Sequence, residues 1–320
     1  MDTRFGNIDA PMRFGKKPAP APAPTARRRP APGKPLGMAS PLSFLFVFSL
    51  AACANLDEVR DYAAASRKLA DYRDLTLRFR DTYQREQPYL TKAADAAAKD
   101  NDRRRTHAYH ELLQIQKIVG LYMRTLARLA GEQADQLGSA GGSLTEAIAA
   151  LPEFGLTARH ADAYGKLLAQ ISRVATSDYQ QQHLKSLIRN SDDDLQTLLE
   201  AMSALTELYN KTNANERKTV LGMLETELAF ADNPKNRLLT ALARSQMQTK
   251  TREYQAVQRR YGALEKGLMA MALGHKALLD NIDQLDHEST RTAVQEFTAQ
   301  IRTSNTLLAA NDLDEIAGAP

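Results

Sequence analysis

The residues whose types and spacing could do chemistry are few. His107-Ala-Tyr-His110-Glu111 places two imidazoles three apart, hence on one helix face, beside a carboxylate, and these are the donor types of a divalent-metal site. The order matches neither the His-Glu-x-x-His of zinc proteases nor the Glu-x-x-His pairs of di-iron bundles. His110 and Glu111 flank the apolar positions Ala108 and Leu112, so the group reads as a solvated helix face. His275 stands instead in an apolar row, between Met271 and Leu278, where a hydrogen-bonded imidazole can fix the register between helices. Ser191-Asp-Asp-Asp194 gathers carboxylates but lacks the spaced oxygen ligands and the glycine of a calcium loop; Ser191 and Asp194 stand at capping spacing and read as a helix start. His160, His183 and His287 are scattered, and neither a Gly-x-Ser-x-Gly elbow nor a phosphate-cradling glycine loop is present. Nothing in these motifs argues for catalysis, a metal or a cofactor.

Charge suggests a binding surface. Residues 235–266 hold Lys235, Arg237, Arg244, Lys250, Arg252, Arg259, Arg260 and Lys266 against Glu253 and Glu265, a net +6. The alternatives for this stripe are a face for an anionic partner, carried by Arg237, Arg244, Lys250, Arg252, Arg259, Arg260 and Lys266, or a solvated face paired with acidic segments of the same chain such as Asp192–Glu200. Residues 1–52 are also basic, with eight Lys and Arg against Asp2 and Asp9. The whole chain's +4 less that +6 leaves the remainder at −2, so the basic balance belongs to the leader and gives no ground for a nucleic-acid partner.

That leader runs from basic residues and a Pro/Ala/Arg-rich tract, which favours extended solvated chain, into an apolar run from Leu42 to Leu50, then Ala51 and Ala52. The run is shorter than the roughly 20 residues a membrane-spanning helix needs. Leu50-Ala51-Ala52-Cys53, with Cys53 the only cysteine of the chain, resembles the lipobox of bacterial lipoproteins. The resemblance implies recognition of Leu50, Ala51 and Ala52 by a signal peptidase, removal of residues 1–52, and acyl chains on Cys53 that tether residues 53–320 to a membrane. Ala54 follows the cysteine in place of the Asp that resembles an inner-membrane retention signal, which points to the outer membrane, facing the periplasm. With no second cysteine, the mature part forms no internal disulfide or thiolate cluster.

The elements that position these residues emerge from apolar spacing, which has the helical period nearly throughout. Leu56, Val59, Ala63, Ser66, Leu69, Tyr72, Thr76, Phe79 and Tyr83 predict one helix from about Asn55, stopped or kinked by Pro88. Asp100-Asn101-Asp102 reads as a turn before a second helix, whose seam runs from Ala108 to Leu137. Gly138, Gly141, Gly142 and Pro152 make residues 138–156 the best internal boundary, with Ser143-Leu-Thr-Glu146 as a capping box inside it. A third helix is expected from about Thr157 to Asn190. A fourth should run from Leu195 to Tyr209, a turn span Lys211–Asn215, and a fifth carry Val220, Leu224 and Leu228. Asn233-Pro234 opens the longest predicted helix, to residue 286, with a seam from Tyr254 to Leu285; a last helix carries Val294 to Leu308 and leaves a loose tail after Asn311.

Single-striped helices of this length are not stable alone and must pair. The predicted fold is all-α, an elongated antiparallel helical bundle with long coiled-coil-like helices. The expected function is protein binding by a lipid-anchored envelope protein, as scaffold, adaptor, immunity or assembly factor. The alternatives are a membrane-binding or membrane-shaping bundle and an enzyme or metal-binding bundle.

Overall fold

A computed structural model describes residues 56–132, 151–175, 181–231 and 234–310, all within the unit spanning residues 52–320. Every regular element among them is helical: α1 (Asp57–Ala70), α2 (Arg73–Arg80), α3 (Thr82–Glu86), α4 (Lys92–Leu129), α5 (Ala158–Ala175), α6 (Gln181–Ala231), α7 (Arg237–Asp280) and α8 (Glu288–Ala309). No helix among the described residues is long and apolar enough to cross a membrane.

The helices pack antiparallel in sequence order, α6 on α7 and α7 on α8, and α1 with α2 turn back along α4. Cross-links fix the α6–α7 register: Lys185 meets Asp283, Asp192 meets His275, Gln196 donates to the Ala272 carbonyl, and Glu216 accepts from Tyr254. The expected α7 seam is buried along its whole length, from Tyr254 through Leu264, Met271 and His275 to Leu278, and on through Ile282 and Leu285 in the turn after the helix. Leu151, Phe154 and Leu156 join the same core as α4 and α6. Close approach of α1 to α7 depends on two glycines. A Cβ on Gly274 would stand 2.5 Å from the Tyr62 ring, and one on Gly267 would stand 2.7 Å from Leu69.

Several expected boundaries are absent, because acidic residues with the chemistry of helix breakers are paired within or across helices, Asp100 with Arg103 and Arg104 and Asp192 with His275. Asp100-Asn101-Asp102 makes no turn; α4 runs through it, with Asp100 bonded to Arg103 and Arg104 one turn on. Ser191–Asp194 is no cap, because α6 continues through it, with Ser191 and Asp192 buried in the seam that Leu187, Ile188 and Leu195 set. Lys211–Asn215 is helical too, with Asn213 buried there. The predicted end of the third helix and the whole fourth and fifth are therefore one helix of 51 residues, longer than the 44 of α7, which stops at Asp280 rather than residue 286.

The first predicted helix is conversely divided, at Asp71-Tyr72 and again at Asp81. The break re-aims the chain: α1 packs on α4, α7 and α8, whereas α2 packs on α4 and α6. Pro88 does end α3, in a short 3-10 turn. The leader, residues Leu50 to Cys53, the capping box at Ser143–Glu146 and the tail from Asn311 lie outside the described residues.

Candidate functional site

The polar residue in the α7 seam, His275, is fully buried and has found two partners on two other helices. Its Nδ1 lies 2.8 Å from Asp192 Oδ1 on α6, and its Nε2 lies 2.6 Å from Tyr122 Oη on α4. A carboxylate only accepts, so Nδ1 carries a proton, and in the neutral ring Nε2 accepts from the Tyr122 hydroxyl. Burial pushes the Tyr122 phenol well above its usual range, which keeps it a donor. Burial would raise the Asp192 carboxyl, but the hydrogen bond from His275, with Gln196 and Lys276 behind it, more than offsets that and holds the group below the usual carboxylate range. One turn from this relay Tyr62 donates to the Met271 carbonyl at 2.5 Å.

Tyrosine, histidine and aspartate in series are the parts of a proton relay. Here Tyr122 and His275 have no exposed surface, and neither lines the groove beside α4 and α8 or the cavity beside Glu216. The relay joins α4, α6 and α7 at one level, and sliding any of them by a turn would strand buried polar atoms.

A second buried constellation lies farther along α6. Glu216, 1% exposed, accepts from Arg85 at 2.9 and 2.8 Å and from the Tyr254 hydroxyl at 3.0 Å, with Arg78 at 3.8 Å. Arg78 in turn donates to Glu253 at 3.0 Å, and Lys250 does so at 2.8 Å. Beside this network a cavity of about 280 Å³ is lined by Phe79, Phe154, Glu86, Arg104 and Arg105. Arg105 lies over the Phe79 ring, 5.7 Å from its centroid, and burial raises the Glu86 carboxyl.

Set against known proteins, the chain matches no family model, no curated protein and no solved structure.

The sequence-predicted residues disperse. His107 and His110 are exposed on α4, and no group of three or more metal-ligating side chains gathers among the described residues. Lys250 is bonded to Glu253, and Arg260 to Asp74 and the Leu308 carbonyl. Arg237, Arg244, Arg252, Arg259 and Lys266 are exposed.

Near the start of α7 the cations Lys235, Arg237 and Arg244 surround something no charge count reveals. Phe230 is 82% exposed, Leu238 75%, Leu239 61% and Leu242 60%. Among the described residues of 222–253 only Thr240 is buried, so this end of the α6–α7 hairpin is covered by no other helix among the described residues. Helical spacing could have found it: Leu238 and Leu242 lie one turn apart, outside the row that begins at Tyr254.

Proposed function

We propose that this chain is a lipid-anchored protein of the bacterial cell envelope that acts by binding another protein, through the tip of its α6–α7 hairpin. The observation that carries the reading is the apolar cluster Phe230, Leu238, Leu239 and Leu242, exposed together and flanked by Lys235, Arg237 and Arg244. Isolated exposed leucines are ordinary; four large apolar side chains exposed within thirteen residues of one hairpin end mark a contact surface. Covering such side chains contributes roughly 1.5–3 kcal/mol each, about 6–12 kcal/mol gross for four, against association costs of about 4–15 kcal/mol, so the cluster anchors a contact that further contacts complete. The partner's matching surface is apolar at its centre.

Cys53 would provide the tether. The first described residues pack where Tyr62 meets Met271 and Glu58 meets Arg291, near the far end of α7 from the tip. From Arg237 to His275, α7 runs about 57 Å at 1.5 Å per residue. A protein held at one end and adhesive at the other suits an adaptor. The second reading, contact with a lipid surface, is favoured by the same mixture of leucine, phenylalanine and basic residues, which also suits a membrane interface.

Three measurements decide. Labelled palmitate should enter the wild-type chain and not Cys53→Ala in a Gram-negative host. A photocrosslinker in place of Leu239 should trap a partner, and the purified partner should bind the wild-type chain and lose at least tenfold in affinity with the Phe230→Ser/Leu238→Ser/Leu242→Ser variant at unchanged helicity. Flotation of unlipidated Cys53→Ala with phosphatidylethanolamine/phosphatidylglycerol vesicles, abolished by the same substitutions, would replace the protein partner by a membrane. Neither crosslink nor flotation would overturn both readings.

A further inference from the structure

A groove of about 1300 Å³ runs between the α1–α2 corner, the middle of α4 and the end of α8. Its floor is apolar, with Tyr72, Leu113, Ile118, Leu121 and Leu308. Its walls are cationic: Arg67, Lys68, Arg73, Lys117 and Arg124 stand against Asp71 and Asp74 only, and Asp74 is already bonded to Arg260. Lys68, Lys117 and Arg124 make no ion pair among the described residues. Arg67 and Arg73 reach Glu132 and Asp71 only at 4.0 and 3.9 Å.

The chain itself leaves α8 at the rim of this groove, since Leu308 and Ala309 both line it. The sequence then continues as Asn311-Asp-Leu-Asp-Glu-Ile-Ala-Gly-Ala-Pro320, with Asp312, Asp314 and Glu315 and no basic residue. Leu313 and Ile316 are three apart, so as one helical turn they would share a face, with carboxylates to either side.

We infer that the groove is a binding site for an acidic amphipathic peptide segment and that its occupant is the chain's own residues 311–320. Leu313 and Ile316 cover the apolar floor, while Asp312, Asp314 and Glu315 face Lys68, Lys117 and Arg124. Reach permits this: the α4 wall from Leu113 to Arg124 is about 17 Å long, and ten residues span about 15 Å as helix or at most about 33 Å extended. This is helix-in-groove recognition within one chain, and it is independent of the hairpin tip.

The test uses the full chain with Ile316 replaced by the photocrosslinker p-benzoylphenylalanine. Irradiation at low protein concentration should yield intramolecular adducts mapping to residues 113–124 or 64–74. Lys117→Glu/Arg124→Glu should lower the yield about tenfold, because several charge pairs change from attraction to repulsion together. Adding Asp312→Lys/Asp314→Lys/Glu315→Lys to that variant should restore it, a rescue that a merely misfolded protein could not show. Adducts elsewhere in the chain, adducts that appear only between molecules and rise with concentration, no adducts, or a yield indifferent to charge reversal would each overturn the proposal.

Discussion

Removing the carboxylate of Asp192 tests whether the buried relay specifies the fold. Asp192→Ala leaves the His275 Nδ1–H without a partner in a site with no exposed surface. Gln196 keeps its bond to the Ala272 carbonyl, and half-exposed Lys276 returns to water, so the loss is concentrated in one orphaned donor. An unsatisfied buried donor costs about 1–3 kcal/mol, and the acceptor it loses is charged, which places the variant at the upper end, near 3 kcal/mol. At roughly 2–4 °C per kcal/mol for a chain of this size, Tm falls by about 6–12 °C. His275→Leu should cost about as much, because Asp192 then keeps only Gln196 and Lys276, and Tyr122→Phe about 1 kcal/mol for the acceptor it strands. The triple variant Tyr122→Phe/Asp192→Ala/His275→Leu strands none of the three and nearly conserves volume, so it should lie within about 2 kcal/mol of wild type instead of losing the summed ~7. Denaturant unfolding followed by circular dichroism, at constant m, measures each. A triple variant that loses the full sum would refute the reasoning, since the three groups would then contribute separately rather than by satisfying one another.

Gly274→Ala should destabilise, because a Cβ 2.5 Å from the Tyr62 ring costs about 1–3 kcal/mol of overpacking, above the ~1 kcal/mol of helix propensity gained. Gly262→Ala, with nothing within 4 Å of its Cβ, should raise stability by up to about 1 kcal/mol, and thermal melts of the two should move in opposite directions. Glu216→Ala should cost about 3–5 kcal/mol by stranding Arg85 beside Arg78, measurable by denaturant unfolding; a loss below about 1 kcal/mol would show the network to be solvated. His160 Nδ1 accepts the Thr157 N–H at the start of α5, and burial lowers its pKa below the ordinary 6.5. Its neutral form is the one the fold prefers, so its contribution is complete above pH 6.5 and is lost as pH falls through the lower folded value. Amide exchange around residues 157–161 should accelerate over that window in wild type and be pH-insensitive, apart from the intrinsic rate, in His160→Ala.

The all-α architecture was legible because one-sided apolar spacing survives any choice of helix ends. The α7 seam, His275 included, is buried as its three-and-four alternation predicts. What could not be read was which polar residues end a helix and which are held inside one. Ser191 and Asp192 have cap chemistry, and only the arrival of His275 from 83 residues away makes Asp192 a seam residue. Asp100 is the local version of the same ambiguity, resolved by Arg103 and Arg104. Tyr122 and Glu216 were hidden for a related reason: a tyrosine in a seam reads as apolar bulk and a glutamate in a helix as solvated. The hairpin tip was hidden because a charge count picks out its cations and passes over the leucines among them.

The ladder of cross-links between α6 and α7 has a mechanical consequence. Asp192–His275, Gln196–Ala272 and Glu216–Tyr254 sit at successive levels of one antiparallel pair, and Lys185 meets Asp283 in the turn just beyond it. A force drawing the two helices past each other along their axes loads all three rungs at once, whereas a force prying the hairpin open from its tip meets them one at a time, Glu216–Tyr254 first. The pair is therefore a stiff strut in shear and a zipper in peeling, and whatever pulls on the tip will feel a different protein depending on the direction in which it pulls.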